Sequence, residues 1–357
     1  MSFLKCNPNI FVINDEYEIL IFLKEKGICF IEVDGQYFYE EYSGVLSSEK
    51  NYVKIRVPQR QLDLKESYKV IFKQSINRKA YFSELGEQQE KTFYFKSLKK
   101  DENINVYHLA DVHYRFELAK KTASYFGEDL DLLVVNGDIG EVESFEDYFN
   151  VANFIGEISK GMIPIIFVRG NHDTRGRMAE LYTDIFPANG KNTFFTFNIG
   201  NLSGVVLDCG EDKLDHHIEY NGVNVFEVYR LKETEFLKNI NLNDSSIKLA
   251  ISHICPMQTT LTSGNVFDIN RDIYTIWNDE LDRLGVNFML CGHMHEAYLL
   301  EKESPNALIA NHFPVVVGSH VLPDDFYGCA LTIFKDYVIC RFTNKDKEIK
   351  EEFTLKF

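Results

Sequence analysis

Residues 163–173 read Ile-Pro-Ile-Ile-Phe-Val-Arg-Gly-Asn-His-Asp, an apolar run that ends in a short polar segment. An apolar run of this length, bounded by a turn-forming residue, predicts a buried strand over Ile163–Val168. Gly170 allows the backbone to turn sharply where the strand ends. Asn171 offers a neutral carbonyl oxygen, and His172 offers an imidazole that can serve as an acid or a metal ligand. The stretch therefore predicts a buried strand followed by a chemically active loop.

Four further apolar runs end in the same way. The predicted strands Ile104–Ala110, Asp131–Asn136, Ile247–Ile251 and Val286–Cys291 precede Asp111-Val112-His113, Gly137-Asp138, Ser252-His253 and Gly292-His293-Met294-His295. The ends of successive buried strands can meet along one rim of a sheet. We therefore expect the five polar segments to form one site.

Together the segments supply two carboxylates, one amide and four imidazoles. These donors are Asp111, Asp138, Asn171, His113, His253, His293 and His295. Side chains two residues apart, as in Asp-x-His and His-x-His, point to the same side of an extended backbone. This donor set is large enough for two divalent metal ions and suits Mn, Fe or Zn. The sequence thus predicts a binuclear metal site.

The series Asp-x-His, Gly-Asp, Gly-Asn-His-Asp, His and Gly-His-x-His resembles the motif pattern of the calcineurin-like metallophosphoesterases over residues 104–295. The resemblance implies an α/β/β/α sandwich with two sheets and a binuclear centre at the strand ends. It implies one metal ion on Asp111, His113 and His295, a second on Asn171, His253 and His293, and Asp138 as the bridge. It also implies that His172 is a general acid or charge stabiliser near the leaving oxygen. Asp173 would then hold His172 in orientation.

The resemblance implies a hydrolytic function. Two metal ions about 3.5–4 Å apart can activate a water molecule and hold the phosphoryl oxygens for in-line attack. The nucleophile is then water, so no activated serine or cysteine is needed. The predicted function is metal-dependent hydrolysis of phosphate esters, by a phosphatase or a phosphodiesterase.

The order of regions along the chain also resembles purple acid phosphatases, in which a β-sandwich precedes the phosphoesterase domain. Those enzymes carry Asp-x-Gly where this chain has Asp111-Val112-His113, and a tyrosine where it has Glu141. Without that tyrosine we expect no ferric tyrosinate and no purple colour. The Asp-x-His opening is shared with cyclic-nucleotide phosphodiesterases, so a small-substrate phosphodiesterase is the alternative.

The first 98 residues predict a separate β-domain. Short strands are predicted at Glu18–Lys24, Ile28–Val33, Gln36–Tyr39, Tyr52–Val57, Tyr68–Phe72 and Thr92–Phe95. Asp34-Gly35 is a strong hairpin signal, and Leu64 with Tyr68 resembles the tyrosine corner of fibronectin type III domains. We therefore predict a fibronectin III-like β-sandwich over residues 1–98 and a metallophosphoesterase domain over 104–357, joined by a polar linker.

Strands alternate with helices beyond the linker, which predicts an α/β domain. Helices are predicted at Phe116–Phe126, Ser144–Ser159, Arg177–Ile185, Leu231–Asn239 and Asp272–Leu284. Later strands are predicted at Ala307–Ala310, Pro314–Val317, Ala330–Phe334, Tyr337–Phe342 and Glu351–Leu355. We expect these later strands to form a second sheet packed on the first.

Composition limits the remaining possibilities. The 357 residues carry a net charge of −16, and the acidic excess lies entirely beyond residue 98. An acidic catalytic region disfavours a function that needs a broad phosphate-binding surface for long nucleic acid, although bound metal ions could still attract a phosphate. The seven scattered cysteines include no Cys-x-x-Cys pair, which argues against a disulfide framework. Because the chain shows neither a secretory signal nor a long apolar run, we expect a cytoplasmic protein without a membrane span.

The sequence leaves the phosphate-binding residues and the substrate open. Arg169, Arg175 and Arg177 flank the Gly-Asn-His-Asp loop and could bind phosphate, although a solvated helix start accounts equally well for the last two. The loops 211–230 and 256–280 are expected to shape the substrate pocket without identifying the substrate.

The sequence disfavours two further functions. A nuclease of the same superfamily is disfavoured by the acidic region and by the lack of an evident basic capping region. A non-catalytic scaffold that had lost its metal ions would lack ligands, and none of the seven is missing.

Overall fold

A computed structural model describes residues 2–40, 43–99, 103–244, 246–257 and 264–357. Its central feature is a pair of β-sheets packed face to face, with helices covering the outer face of each. The alternation of side chains along each strand explains the layers. In the strand that ends at Asn136, Leu132 and Val134 point into the core between the sheets, whereas Leu133 and Val135 pack against helices.

The strands, numbered in chain order, are β1 (Asn9–Ile13), β2 (Glu16–Phe22), β3 (Gly27–Val33), β4 (Gln36–Phe38), β5 (Tyr52–Pro58), β6 (Ser67–Asn77), β7 (Glu84–Tyr94), β8 (Ile104–Leu109), β9 (Leu132–Asn136), β10 (Pro164–Val168), β11 (Phe195–Ile199), β12 (Leu202–Val206), β13 (Ile247–Ile251), β14 (Phe288–Cys291), β15 (Tyr298–Leu300), β16 (Val315–Val317), β17 (His320–Val321), β18 (Phe326–Ile333), β19 (Tyr337–Thr343) and β20 (Ile349–Lys356). The helices are α1 (Gln59–Lys65), α2 (Phe116–Ala123), α3 (Phe145–Ser159), α4 (Tyr182–Ile185), α5 (Phe226–Asn239) and α6 (Arg271–Arg283).

The larger sheet has ten strands in the order β20-β19-β18-β8-β9-β10-β1-β2-β5, with β17 paired to β18. Its centre is parallel, because β8, β9, β10 and β1 run in the same direction. Helices α2 and α3 cover its outer face through an apolar core that includes Phe154 and Ile155. The carboxyl ends of β8, β9 and β10 therefore open on one edge.

The second sheet has six strands in the order β11-β12-β13-β14-β16-β15, and β12, β13, β14 and β16 are parallel. Helices α5 and α6 pack on its outer face around the buried Trp277. Within the described residues, none of the helices combines the length and apolar character needed to cross a membrane.

The N-terminal region departs from the predicted free-standing sandwich. Strands β3, β4, β6 and β7 form a four-stranded antiparallel sheet, but β1, β2 and β5 extend the ten-stranded sheet. The link is a parallel pairing of β1 with β10, which the sequence of either strand alone could not indicate. Residues 100–102 of the predicted linker lie outside the described residues. The division into domains at 98 and 104 thus stays a prediction, and one sheet runs across it.

Local predictions in this region vary in outcome. The Asp34-Gly35 hairpin is confirmed, since both residues have positive φ and β3 pairs with β4. The tyrosine corner is wrong, because Leu64 is exposed and the Tyr68 hydroxyl donates to the carbonyl of Gly161, outside the region. The short helix α1 was not predicted.

The later strands also differ from the expected second sheet. Strands β18, β19 and β20 extend the ten-stranded sheet beside β8, and only β16 and β15 join the second sheet. Residues 307–310 do not form a strand. Antiparallel pairing of β18 with β8 explains this placement, because it covers the edge that β8 would otherwise expose.

Candidate metal centre

The five predicted polar segments meet at one edge of the two packed sheets. The Asp111, Asp138 and Asn171 loops follow β8, β9 and β10 of the ten-stranded sheet, whereas the His253 and His293 loops follow β13 and β14 of the second sheet. The strand bounds agree closely with those predicted from the apolar runs. The expectation of a single sheet rim is wrong in one respect, since two sheets share the site.

The backbone at the site is unusual. Positive φ angles of 55°, 43°, 55°, 71° and 54° occur at Asp111, His113, Asp138, His293 and His295. Residues other than glycine rarely adopt this left-handed region, and each such residue costs about 1–3 kcal/mol. The extended tripeptides expected for Asp-x-His and His-x-His are therefore wrong. Turns, rather than strands, aim these side chains at the centre.

Two glycines allow the loops to approach one another. A Cβ added to Gly137 would lie 2.6 Å from both the Gly170 Cα and the His253 Nδ1. A Cβ added to Gly170 would overlap the carboxylate of Asp138. Because no side chain fits at either position, these glycines let three loops from two sheets come into direct contact.

The first donor group consists of Asp111, His113 and His295, whose ligand atoms all lie within 4.8 Å of one another. The Nε2 atoms of His113 and His295 are 3.1 Å apart. Asp111 is fully buried, and its Oδ1 lies 3.5 Å from the Nε2 of His295. The three donor atoms thus converge on one point, with the buried carboxylate on the inner side and the more exposed imidazole of His295 on the outer side.

The second donor group consists of Asp138, His253 and His293, again within 4.8 Å of one another. Asn171 lies beside it, with its Oδ1 3.0 Å from the Nδ1 of His293. Asp138, Asn171 and His253 are buried. This group therefore lies deeper than the first.

Asp138 lies between the two groups. Its Oδ1 accepts a hydrogen bond from the backbone N–H of His172 at 2.9 Å. Its Oδ2 lies 3.2 Å from His253 Nε2, and 3.9 Å from the Nε2 atoms of both His113 and His172. One carboxylate oxygen therefore faces three imidazoles that come from both sheets.

The charged groups perturb one another strongly. Burial raises the pKa of the Asp111 carboxyl to about 8. Burial also favours the neutral form of Asp138, yet the facing His253 imidazole holds the Asp138 pKa below its usual range. Burial alone would lower the pKa of His253, but the carboxylates of Asp138 and Asp111 raise it to about 10. Two buried carboxylates thus depend on one imidazolium for compensation, an arrangement that favours added positive charge.

The orientation of His253 fits a metal ligand. Its Nδ1 contacts the backbone carbonyl of Asn136 at 2.6 Å, so a hydrogen on Nδ1 leaves the Nε2 lone pair available. The Nε2 atom is buried and has no hydrogen-bond partner among the described residues, although it faces Asp138 and Asp111. A divalent cation between these donors would satisfy all three.

The predicted role of Asp173 is wrong. Its Oδ2 accepts hydrogen bonds from the backbone N–H groups of Gly170 and Asp138, at 2.8 and 3.1 Å. In the described part of the chain, no hydrogen bond joins Asp173 to the His172 ring. The buried carboxylate instead ties together the loops after β9 and β10, and so fixes the position of Asp138.

His172 lies at the open side of the site. Its side chain is 36% exposed, and its Nε2 forms a third close group with His113 and Asp138. Its ring packs edge-on against that of His113, with centroids 5.0 Å apart. His172 can therefore reach both the buried donors and a molecule that approaches from solvent.

The loop after β12 borders the site. A cleft of about 260 Å³ lies between residues 174–176, which follow β10, and residues 219–224 of the loop after β12. The expectation that residues 211–230 shape the substrate pocket stays a prediction, because none of the donor residues lines this cleft. In the second predicted loop, 256–280, residues 258–263 lie outside the described residues. Phe267 of this loop contacts the loop after β12, since the Nζ of Lys213 lies 4.9 Å from the centre of its ring.

Sequence reasoning missed Asn136, which links the two sheets. Its Nδ2 donates to the carbonyl of Ser252 at 3.1 Å and contacts His108 Nε2 at 3.1 Å. A polar residue at the end of the apolar run before Gly137-Asp138 was the available signal. Glu211, a second missed residue, follows β12 and carries no motif that would have identified it.

The sequence profile of the calcineurin-like phosphoesterases matches residues 104–297, which is more than half of the chain. The chain belongs to the calcineurin-like phosphoesterase family. Among solved structures, a purple acid phosphatase from yellow lupin (Lupinus luteus) seeds superposes with a TM-score of 0.64 at 11% identity, covering 98% of this chain and 74% of that one. PhoD superposes with a TM-score of 0.59 at 11% identity, covering 98% and 89%. At 11% identity, the similarity to these two solved structures shows only that this calcineurin-like phosphoesterase shares their fold. A search of curated proteins found no sequence match.

Proposed function

We propose that this calcineurin-like phosphoesterase hydrolyses phosphate esters with a binuclear metal centre at the edge shared by its two sheets. The observation that carries the proposal is the overlap of the donor groups. His113 and Asp138 each belong to two groups of ligand atoms that lie within 4.8 Å of one another. Overlapping sets of oxygen and nitrogen donors suit two neighbouring ions better than one.

In the proposed assignment, each sheet contributes to both ions. One ion would be held by Asp111, His113 and His295, the other by Asn171, His253 and His293, and Asp138 would bridge them. When bound, two divalent ions such as Mn, Fe or Zn would activate water and polarise the phosphoryl group for in-line attack. The donor types fit all three metals equally.

The residues around the donors hold them in position. The backbone N–H of His293 donates to Asp111 at 2.9 Å, and the N–H of His172 fixes one oxygen of Asp138. Asp173 holds the backbone of the Asp138 loop. These hydrogen bonds orient the carboxylates before substrate arrives, which reduces the reorganisation needed for reaction.

We assign the proton-transfer role to His172. It lies beside the donor groups at the open side of the site, its Nε2 is 3.9 Å from Asp138 Oδ2, and it is not one of the seven proposed metal ligands. An imidazole in this place can protonate the leaving oxygen of an ester. The substrate is then a small phosphate monoester or diester that enters from the side of His172.

The first experiment tests Asp138→Asn against Asp244→Asn, the same isosteric change at a carboxylate that is 97% exposed. After loading with Mn²⁺, the wild-type protein should hydrolyse p-nitrophenyl phosphate or bis(p-nitrophenyl) phosphate. Asp138→Asn should abolish this activity while keeping its melting temperature, and Asp244→Asn should match the wild type. Full activity of Asp138→Asn would contradict the proposal. A panel of monoesters, linear diesters and cyclic nucleotides then separates phosphatase from phosphodiesterase, including the cyclic-nucleotide alternative.

A further inference from the structure

The three arginines that flank the Gly170–Asp173 loop have different environments. Arg169 is held inside the protein, where its Nη2 lies 2.6 Å from Asp208 Oδ2. Arg177 is exposed and, within the described part of the chain, makes no side-chain hydrogen bond or ion pair. Only Arg175 combines a fixed guanidinium with a nitrogen directed at the site.

The Arg175 guanidinium is fixed by a two-point contact with Glu211. Its Nε donates to Glu211 Oε1 at 2.8 Å, and its Nη2 donates to Glu211 Oε2 at 2.6 Å. This forked geometry is specific to arginine, since a lysine ammonium cannot form it. The pair therefore sets the direction of the third nitrogen, Nη1.

Glu211 is itself rigidly held. It is fully buried and accepts hydrogen bonds from the hydroxyls of Thr174 and Tyr220, both at 3.0 Å. The buried Arg230 donates to the backbone carbonyl of Glu211 at 2.6 Å. Helix α5, which carries Arg230, thus supports the loop after β12, and that loop supports Arg175.

The nitrogen that Glu211 leaves unused lies at the edge of the donor cluster. Arg175 Nη1 is 3.4 Å from His172 Nε2, the atom that forms a close group with His113 and Asp138. At 3.4 Å this contact is longer than an ordinary N–H hydrogen bond, so a better acceptor can replace it at little cost. A phosphoryl oxygen beside His172 would be such an acceptor.

We propose that Arg175 contacts the substrate in the hydrolysis proposed above. Its Nη1–H binds a non-bridging oxygen of the phosphoryl group next to His172, and Glu211 fixes its direction. Because the Glu211 carboxylate balances the guanidinium charge, Arg175 supplies orientation more than net positive charge. This inference rests on the proposed function for its substrate, but it makes a separate statement about phosphate binding.

The competing explanation is that Arg175 only ties two loops together. The experiment therefore compares Arg175→Ala with Arg177→Ala, the same change two residues away on the same loop. Each Mn²⁺-loaded variant is assayed with p-nitrophenyl phosphate and with inorganic orthophosphate as inhibitor, and its metal content and melting temperature are measured.

Arg175→Ala should raise both the KM and the inhibition constant of orthophosphate by about ten- to a hundredfold, as expected for a lost charge-assisted hydrogen bond. Its metal content should equal that of the wild type. Arg177→Ala should change either constant by less than about twofold. Equal constants for the two variants, or a loss of binding that follows a loss of metal, would overturn the proposal.

Two further measurements keep the test decisive. If Arg175→Ala fails to fold, Arg175→Lys replaces it: a raised inhibition constant with full metal content supports the forked contact, and an unchanged constant contradicts it. If the wild type hydrolyses no ester, the proposed function fails. Calorimetric binding of orthophosphate to the Mn²⁺-loaded variants then still decides whether Arg175 binds phosphate.

Discussion

The two sheets contribute different chemistry to the same site. Loops of the ten-stranded sheet supply Asp111, His113, Asp138 and Asn171, so both carboxylates, the amide and one imidazole come from one side. The six-stranded sheet supplies only imidazoles, from His253, His293 and His295. The shortest carboxylate–imidazole approach, 3.2 Å between Asp138 and His253, crosses from one sheet to the other. The apolar core that packs the sheets together therefore also sets the geometry of the site.

His172 tests this division, because it is an imidazole on the carboxylate-bearing sheet that lies outside the proposed set of metal ligands. We expect His172→Ala to keep its full metal content and to lower kcat by roughly 10²–10⁴-fold, since a positioned acid contributes about that much. The loss should be largest for esters with poor leaving groups. Metal analysis and kinetics with nitrophenyl and alkyl phosphates measure both effects. An unchanged rate would make His172 a structural residue.

Asn136 is a buried link between the two sheets at the site. Asn136→Leu removes the donor to Ser252 and leaves buried acceptors unsatisfied, so the free energy of unfolding should fall by about 3 kcal/mol. The matched control is Asn105→Leu on β8, where the side chain donates to the Asp129 carbonyl at a more exposed position. Urea unfolding of both variants measures the difference. Equal losses would show that Asn136 does not couple the sheets.

A smaller effect should appear in the number of protons that the site releases when it binds metal. Without metal, the pKa of His253 is raised to about 10, so the imidazole is protonated at pH 8. A histidine ligand must be neutral and a carboxylate ligand ionised, so metal binding at pH 8 should release about one proton from His253 and about half a proton from Asp111, whose pKa burial raises to about 8. The release should decline as the pH rises through 10, and affinity should increase over the same range. Calorimetry in buffers of different ionisation enthalpy measures the proton, and a heat independent of buffer would contradict the prediction.

Much of the site could be predicted because its information is local. Each apolar run, such as 247–251, ends in its polar segment, and the structure has strands at these positions. The sheet that a strand joins depends on distant partners, so the pairing of β1 with β10 and of β18 with β8 could not be read from the chain. For the same reason, the different environments of Arg169 and Arg175 depend on Asp208 and Glu211 in a loop of the other sheet.

The prediction for Asp173 was wrong for a different reason. Its neighbour in sequence is His172, but the nearest unsatisfied donors are backbone N–H groups of Gly170 and Asp138. A buried carboxylate is stabilised by whichever donors the fold leaves without partners, and these become known only when both loops are in place. The positive φ angles at the donor residues could not be predicted for the same reason, because they too depend on how the loops pack together.

In the proposed function, the two sheets together hold two metal ions. The most direct measurement is the Mn content per chain, determined by elemental mass spectrometry. The purified protein is first reconstituted with Mn²⁺ and freed of unbound metal. We predict about two ions per chain in the wild type, and about one or none in His253→Ala, with His312→Ala, a change at a half-exposed histidine outside the site, equal to the wild type. A wild-type protein that retains no metal, or a His253→Ala variant that retains both ions, would contradict a binuclear centre shared by the two sheets.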